Sequence, residues 1–224
     1  MHVDSLAVPT DTRAPTGTTN AVIVSGEERL LVDPAAATDA LDAEVAEGID
    51  HLAVTHTHPD HTGGVAAYAD RATVWAKRGR EARFREATGV TPDRTFAEGD
   101  RVGPARVLDT GGHAPDHVAF ATPRGVVCGD LAVAEGSVAV AAPDGDVRAY
   151  LTALRRLHAR DPSACYPGHG PTITDPRAVC ARLIAHRLDR EAKILAAVRD
   201  HGDRALDTAA VTDAAYEKDL TGVR

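Results

Sequence analysis

The sequence contains few aromatic residues and no long hydrophobic segment. Phe, Trp and Tyr together make up 4% of its 224 residues. Proteins that bind single-stranded nucleic acid stack bases on aromatic side chains, so this composition disfavours that class. No segment approaches the roughly 18 apolar residues of a membrane-spanning helix, and the chain does not begin with the basic and then apolar pattern of a secretory signal. We therefore expect a cytoplasmic protein without a membrane partner.

Cysteine is also scarce. The three cysteines, Cys128, Cys165 and Cys180, form no Cys-x-x-Cys motif and are odd in number. Two of them lie in short apolar segments, which is typical of small core residues. We expect neither a disulfide framework nor a cysteine metal site.

Acidic residues outnumber basic residues, and the formal net charge is -8 at pH 7. A negative net charge argues against a surface built for nucleic acid, whose phosphates require basic partners. One local basic segment departs from this trend and contains Lys77, Arg78, Arg80, Arg83 and Arg85. It fits either a solvated helix face, which we favour, or an RNA-binding footprint.

The most informative segment is Thr-His-Thr-His-Pro-Asp-His-Thr-Gly-Gly at residues 55–64. It places four side chains of the ligand type within six residues: His56, His58, Asp60 and His61. His56 and His58 are two residues apart, so on an extended segment their side chains point to the same side. Pro59 then ends the extension and starts a turn. Imidazole and carboxylate groups are common ligands of zinc and similar ions, so the segment predicts a metal site, and two metals suit it better than one.

Three further polar residues follow short apolar segments and are flanked by glycine. They are His113, Asp130 and His169. A single Gly-Asp or Gly-His pair is usually part of a turn. Together with residues 55–64 and in this order, the three predict strand ends that deliver ligands to one edge of a sheet.

The complete pattern, from about Asn20 to Gly170, resembles the metallo-beta-lactamase superfamily of metal hydrolases. That family carries His-x-His-x-Asp-His, then a His, a bridging Asp and a last His, and the sequence matches every position. The resemblance implies a first metal held by His56, His58 and His113, a second held by Asp60, His61 and His169, and Asp130 as the bridge. The assignment of Asp130 as the bridge agrees with its chemistry, because a carboxylate can hold two cations whereas an imidazole holds one. The cofactors would be two divalent ions, zinc first, with manganese or iron as alternatives.

These ligands imply a binuclear metal-dependent hydrolase. Two divalent ions lower the pKa of a shared water from about 15.7 toward about 7, and the resulting hydroxide would be the nucleophile. Asp60 is the expected catalytic residue, because it could orient this hydroxide and pass a proton to the leaving group. The protein then needs no Ser or Cys nucleophile of its own.

Four other residues are candidates for supporting or substrate-binding roles. Asp33 resembles the family's strand-end aspartate and could accept a hydrogen bond from a ligand His, and capping of the following helix is the alternative. His117 is predicted to support the site or the fold rather than to bind metal. His186 and Arg187 are predicted near the mouth of the site, where an Arg could pair with a substrate phosphate or carboxylate.

Apolar periodicity predicts a mixture of strands and helices. Strands are expected at 20–25, 29–32, 52–55, 72–75, 106–109, 118–122, 126–128 and 164–166, and helices at 36–47, 78–88, 146–160 and 175–200. The family resemblance implies an α+β fold, the four-layer αββα sandwich, with the metals at one edge between the sheets. Residues 1–175 would form the catalytic domain and residues 176–224 a C-terminal helical extension.

Two segments resemble the beta-lactamase-like protein 2 branch of the superfamily. They are His-Arg-x-x-Arg-Glu-x-x-Ile-Leu at residues 186–195 and Ala-Pro-Asp-His-Val at residues 114–118. In that branch the long helix leads into a small winged-helix tail, whose beginning resembles residues 206–216 here. We expect a short or truncated tail of this kind.

The substrate is not determined by the fold, because this scaffold supports several kinds of hydrolysis. The net negative charge and the few aromatic residues favour a small acyl or thioester substrate. The alternatives are an endoribonuclease that cleaves single-stranded RNA, a glyoxalase II-like hydroxyacylglutathione hydrolase and a non-catalytic metal-binding protein. The oligomeric state remains open.

Overall fold

The computed structural model describes residues 1–200 and 207–215. The chain divides into two compact units, Met1–Cys180 and Ala181–Arg224. The first unit contains two β-sheets with helices, and the second begins within a long C-terminal helix. The predicted α+β fold is confirmed. The assignment of catalysis to residues 1–175 and of an extension to residues 176–224 stays a prediction.

The first sheet has six strands in sequential order. They are β1 (His2–Pro9), β2 (Thr18–Ser25), β3 (Arg29–Val32), β4 (His51–Ala53), β5 (Thr73–Lys77) and β6 (Arg94–Phe96). The pairs β1–β2 and β2–β3 are antiparallel, and β3 to β6 are parallel. The carboxyl ends of the parallel strands therefore lie at one edge of the sheet.

The second sheet has five strands, in the order β11, β10, β9, β8, β7. They are β7 (Arg101–Val102), β8 (Ala105–Asp109), β9 (Val118–Thr122), β10 (Gly125–Gly129) and β11 (Cys165–Pro167). Only the pair β10–β11 is parallel. Both sheets are thus mixed.

The two sheets pack face to face because alternate residues of their strands are apolar and buried. Val22 and Val32 of the first sheet belong to one core cluster with Val107 and Phe120 of the second. Neighbouring residues on the opposite face of the first sheet, such as Ile23, join a second cluster with side chains from the helices. This alternation follows from the two-residue period of a β-strand and gives each sheet a buried inner face.

Helices follow the strands of both sheets. They are α1 (Asp39–Ala46), α2 (Pro59–Thr62), α3 (Val65–Tyr68), α4 (Glu81–Thr88), α5 (Val147–Arg160), α6 (Pro176–Asp200) and α7 (Thr208–Ala215), with a short 3₁₀ helix at Ala69–Arg71. Asp146 caps the N-terminus of α5 by accepting a hydrogen bond from the backbone N–H of Ala149. Helix α1 begins at Asp39 and not at residue 36, because Thr38 is its cap and accepts from Leu41 N–H.

The long helix expected at residues 175–200 is present as α6. Of the expected winged-helix beginning at residues 206–216, the structure describes 207–215, which contain α7, and the remainder lies outside the described residues. Within the described part of the chain, no helix is long and apolar enough to span a membrane.

Three strands were not predicted from the sequence. Strand β1 pairs with β2 over eight residues, yet most of its side chains are exposed, so it lacks the apolar alternation of a half-buried strand. Strands β6 and β7 have three and two residues. Each of these two segments contains only one apolar residue, so neither forms an apolar run that would indicate a strand.

Candidate metal centre

All seven predicted ligands follow strands: five lie in loops or turns, and Asp60 and His61 lie in the short helix α2. Residues 56–61 follow β4, His113 follows β8, Asp130 directly follows β10 and His169 follows β11. Two hydrogen bonds join these ends: Val118 N–H donates to Thr55 O at 2.8 Å, and Gly168 N–H donates to Gly129 O at 3.0 Å. The strand ends of both sheets are thereby drawn together at one site.

Three ring nitrogens converge in the first group, which consists of His56, His58 and His113. His58 Nδ1 lies 2.9 Å from His56 Nε2 and 2.9 Å from His113 Nε2, and the latter two atoms are 3.2 Å apart. A tetrahedral zinc ion with Zn–N bonds near 2.05 Å separates its ligand nitrogens by about 3.3 Å. The observed spacing is therefore close to that of a metal site.

The second group consists of Asp60, His61 and His169, whose ligand atoms lie within 4.8 Å of one another. His169 Nε2 is 3.5 Å from Asp60 Oδ2. His61 is completely buried, whereas the Asp60 side chain is 18% exposed. The group is therefore shielded from solvent at His61 and accessible to solvent at Asp60.

Asp130 lies between the two groups and presents one oxygen to each. Its Oδ2 is 3.5 Å from His113 Nε2, and its Oδ1 is 3.5 Å from His169 Nε2 and 3.6 Å from His61 Nε2. Among the described residues, Asp130 Oδ1 and His61 Nε2 are buried without a hydrogen-bond partner. Buried polar atoms without partners are costly, and a bound cation would satisfy both.

The outer nitrogens of four rings donate hydrogen bonds to the protein. His61 Nδ1 donates to Asp33 Oδ2 at 2.9 Å, His113 Nδ1 to Ala139 O at 2.7 Å, and His169 Nδ1 to Thr18 O at 2.8 Å. The Thr55 hydroxyl donates to Asp33, so its oxygen accepts from His56 Nδ1 at 3.0 Å.

A neutral imidazole that donates from one nitrogen carries a lone pair on the other. When these four rings are neutral, the lone pair is on Nε2, the nitrogen that faces the other ligands, and a ring that carries a second proton must lose it to bind a metal. Several lone pairs and two carboxylates directed at one volume repel one another unless a cation lies between them. The residues therefore fit a metal centre.

Burial and neighbouring charges determine the protonation of these side chains. Burial lowers the pKa of His56 well below its usual value, and His61 lowers it further. Burial also lowers the pKa of His61, but Asp33 and Asp130 outweigh this effect and raise it to about 9. Burial raises the pKa of Asp130, yet His61 and His169 hold it below its usual value. Asp130 is thus an anion, and His56 is neutral, which is the form that binds metal.

Two residues expected to play supporting roles contact the ligands. Asp33 binds His61 and accepts from Thr55 N–H at 2.6 Å, and it does not cap α1, because Thr38 does. His117 is buried, its Nε2 accepts a hydrogen bond from Asp130 N–H at 3.1 Å, and its Nδ1 lies 2.8 Å from Thr110 Oγ1. His117 therefore fixes the backbone of Asp130.

His186 and Arg187 belong to the second compact unit. Their expected place near the mouth of the site stays a prediction.

Several residues of the site were missed from the sequence. Thr12, in the loop between β1 and β2, donates to Asp60 Oδ2 at 2.6 Å. Arg83 and Asp144 form an ion pair next to His58. Thr12 and Asp144 carry no local motif, because their roles depend on loops that fold back over the site. Arg83 was visible only as part of the basic segment.

Comparison with known proteins identifies relatives in both sequence and structure. The family model described as the metallo-beta-lactamase superfamily matches residues 14–169. The chain is 30% identical over 208 residues to the beta-lactamase-like protein 2 homolog of Drosophila melanogaster, covering 80% of this chain and 67% of that protein. It is also 30% identical over 201 residues to thioesterase pkgB of Emericella nidulans, covering 83% of this chain and 55% of that protein.

Solved structures agree with this match. A metallo-beta-lactamase family protein from Thermus thermophilus has a TM-score of 0.71 at 24% identity, covering 87% of this chain and 82% of that chain, which shows a shared fold. The protein TTHA1623, solved in a di-iron-bound form, has a TM-score of 0.62 at 31% identity, covering 77% of this chain and 96% of that chain.

Proposed function

Because the chain belongs to the metallo-beta-lactamase superfamily, we propose that it is a metal-dependent hydrolase with two divalent ions and a small acyl or thioester substrate. The observation that carries the proposal is the pair of ligand groups joined by Asp130. One carboxylate oxygen faces His113, and the other faces His61 and His169. A carboxylate can bridge two cations, and this placement of its oxygens supports two adjacent metal positions.

We assign His56, His58 and His113 to the first ion and Asp60, His61 and His169 to the second, with Asp130 shared. Zinc is the first choice for five imidazoles and two carboxylates, with manganese or iron as alternatives. When bound, the two ions would lower the pKa of a water molecule and polarise the substrate carbonyl. The protein supplies the rigid frame, because each ring is fixed by contacts to its outer nitrogen.

Asp60 is the residue to which we assign proton transfer. Its Oδ2 accepts the Thr12 hydrogen bond and faces His169, and its side chain is 18% exposed, so the carboxylate is placed to take a proton from the attacking water. In thioester hydrolysis the water oxygen bonds to the carbonyl carbon and the C–S bond breaks. Asp60 would return the proton to the departing thiolate, so that an acid and a thiol result.

The substrate class is supported by relatives and by the charge of the surface. Thioesterase pkgB and an atrochrysone carboxyl ACP thioesterase of Emericella nidulans, 28% identical over 193 residues, are thioesterases by name. Three of the five residues in the basic segment that suggested an RNA footprint are paired with carboxylates of the protein. Lys77 Nζ contacts Asp109 at 2.8 Å, Arg78 contacts Asp100 at 3.4 Å and Arg83 binds Asp144. Charges paired in this way are less available to phosphates.

The cytoplasm remains our proposed location. Action on a small molecule requires neither a membrane nor a nucleic-acid partner.

The test is hydrolysis of a short acyl thioester with and without chelator, measured as the release of free thiol. A labelled single-stranded RNA and a hydroxyacylglutathione serve as competing substrates. We expect thiol release that stops on chelation and returns with zinc, and that is lost in Asp130→Ala but retained in Asp100→Ala. Cleavage of RNA but not of the thioester would show that the substrate is RNA and not a thioester. Metal binding without any turnover would favour a non-catalytic role.

A further inference from the structure

We propose that Arg83 and Asp144 act together as a positioning pair that holds His58 with Nδ1 facing the first metal position. The inference rests on the proposed function, because it assigns His58 as a ligand. It adds two residues that lie outside the motif and that act on one of the two metal positions.

His58 differs from the other four ring ligands. In those rings Nε2 faces the site and Nδ1 donates to a protein oxygen. In His58 the ring is turned the other way, since Nδ1 lies 2.9 Å from both His56 Nε2 and His113 Nε2. To present a lone pair on Nδ1, His58 must carry its proton on Nε2.

Asp144 is the carboxylate on that side of the ring. Its Oδ2 lies 3.6 Å from His58 Nε2, and the two side chains are 27% and 29% exposed. A carboxylate at Nε2 favours the tautomer with the proton on Nε2 and makes the opposite nitrogen a stronger ligand. Asp144 thus faces the outer nitrogen of His58 as Asp33 faces that of His61, at 3.6 Å rather than at the 2.9 Å of a hydrogen bond.

Arg83 fixes the carboxylate of Asp144. Its Nη1 donates to Oδ1 at 3.1 Å and its Nη2 donates to Oδ2, which is the two-pronged geometry that guanidinium groups form with carboxylates. Its Nε donates to Thr57 Oγ1 at 2.8 Å and lies 3.3 Å from the buried carboxylate of Asp116.

The side chain of Arg83 therefore joins four segments. It starts from α4 and contacts the loop after β4, the loop before β9 and the connection between β10 and α5. Thr57 is the neighbour of His58, and Asp116 is the neighbour of His117. A lysine has one compact ammonium group and cannot form the same set of contacts.

The effect is expected at one metal position. The connection that carries Asp144 also supplies Ala139 O, which accepts from His113 Nδ1. It thus supports two of the three ligands of the first group. The second group is fixed by other segments, through Asp33, Thr12 and Thr18. Loss of the Arg83–Asp144 pair should weaken the first position and spare the second.

The experiment is a stepwise zinc titration of the metal-free protein. Native mass spectrometry counts the bound ions, and competition with a chromophoric chelator measures the affinity of each step. The variants are Asp144→Ala, Asp144→Asn, Arg83→Gln, Arg83→Lys and the double variant Arg83→Gln/Asp144→Ala. The matched control is Arg78→Gln, which removes another ion pair of the same basic segment, between Arg78 and Asp100 at 3.4 Å.

We expect two binding steps in the wild type and in the control. Asp144→Ala should weaken zinc binding in one step by about 10- to 100-fold, which is the usual loss when a residue that orients a metal ligand is removed. The affinity of the other step should stay within about twofold of the wild type. Arg83→Gln should act in the same way, and Arg83→Lys should not restore affinity. The double variant should lose less affinity than the sum of the two single losses, because Arg83 and Asp144 act on His58 through each other. The visible spectrum of the cobalt-loaded protein should change in the same variants.

Two outcomes overturn the inference while the proposed function stands. In one, both binding steps keep their wild-type affinity in Asp144→Ala and Asp144→Asn. In the other, both steps weaken equally as the protein loses thermal stability, which would indicate a purely structural ion pair. A wild type that binds no metal would instead overturn the proposed function together with this inference.

Discussion

His61 and Asp33 form a fully buried hydrogen bond, in which Nδ1 lies 2.9 Å from Oδ2 and neither side chain is more than 2% exposed. Asp33 also accepts from the backbone N–H and the hydroxyl of Thr55, at 2.6 and 2.7 Å. Its backbone has a φ of 53°, which Asp and Asn tolerate better than most residues. One carboxylate thus fixes the ring of a candidate ligand and the strand end that precedes residues 56–61.

We predict that Asp33→Asn weakens zinc binding at the second position by about 10- to 100-fold, because the amide cannot supply the negative charge that His61 requires. Asn keeps the side-chain size and accepts the backbone conformation. Asp161→Asn is the matched control, because Asp161 is an exposed aspartate with a φ of 48°. Chelator competition measures the affinity, and an unchanged value in Asp33→Asn would contradict the assigned role.

Thr12 should affect turnover more than substrate binding. Its hydroxyl donates to Asp60 Oδ2 at 2.6 Å, and a hydrogen bond to a charged group is worth about 1.5–3 kcal/mol. We expect Thr12→Val to lower kcat by about tenfold or more with a small change in KM, and Thr12→Ser to retain most of the rate. Steady-state kinetics on the thioester separate the two parameters, and equal rates for Val and Ser would show that the hydroxyl is not used.

Gly168 allows close approach of the ligands. A Cβ atom at this position would lie 2.5 Å from Asp130 Oδ1 and 2.6 Å from His61 Cε1. Such distances are shorter than any ordinary contact, so Gly168→Ala should displace both side chains and abolish tight metal binding. Gly111→Ala is the control, because its Cβ would meet no atom closer than 3.6 Å. Equal metal contents in the two variants would refute this packing argument.

His117 should contribute to the pH dependence of stability. Burial lowers the pKa of His117 well below its usual value, and His113 lowers it further. As the pH falls below about 6.5, His117 takes up a proton in the unfolded chain but not in the folded protein. Protonation therefore favours the unfolded state, and the free energy of unfolding decreases as the pH falls below about 6.5.

We predict that His117→Gln, which can still accept from Asp130 N–H but cannot titrate, loses less stability than the wild type between pH 7 and pH 5.5. The difference should reach up to about 1 kcal/mol, since one linked proton gives a slope of about 1.4 kcal/mol per pH unit. Urea unfolding of the metal-free proteins at the two pH values provides the comparison. Parallel losses would show that His117 does not carry the linkage.

The sequence predicted the elements and the candidate ligands whose signals are local. The run at residues 55–64 and the glycine-flanked His113, Asp130 and His169 indicated which side chains converge, because each follows a recognisable apolar strand. Strand β1 was missed because an exposed edge strand has little apolar alternation.

Contacts across the fold could not be predicted in the same way. Thr12 lies 48 residues from Asp60, and Arg83 lies 61 residues from Asp144. Neither pair has a fixed spacing that a motif could express. The basic segment illustrates the consequence, since its composition suggested a solvated face, whereas Arg83 contacts two carboxylates and a threonine beside the candidate ligands.

Native mass spectrometry of the zinc-loaded protein tests whether Asp130 joins two metal positions. We predict two zinc ions per chain in the wild type and in Asp100→Ala, and loss of zinc together with thioester hydrolysis in Asp130→Ala. A folded wild type that retains no zinc, or an Asp130→Ala variant with two ions and full activity, would contradict the proposed bridging role of Asp130.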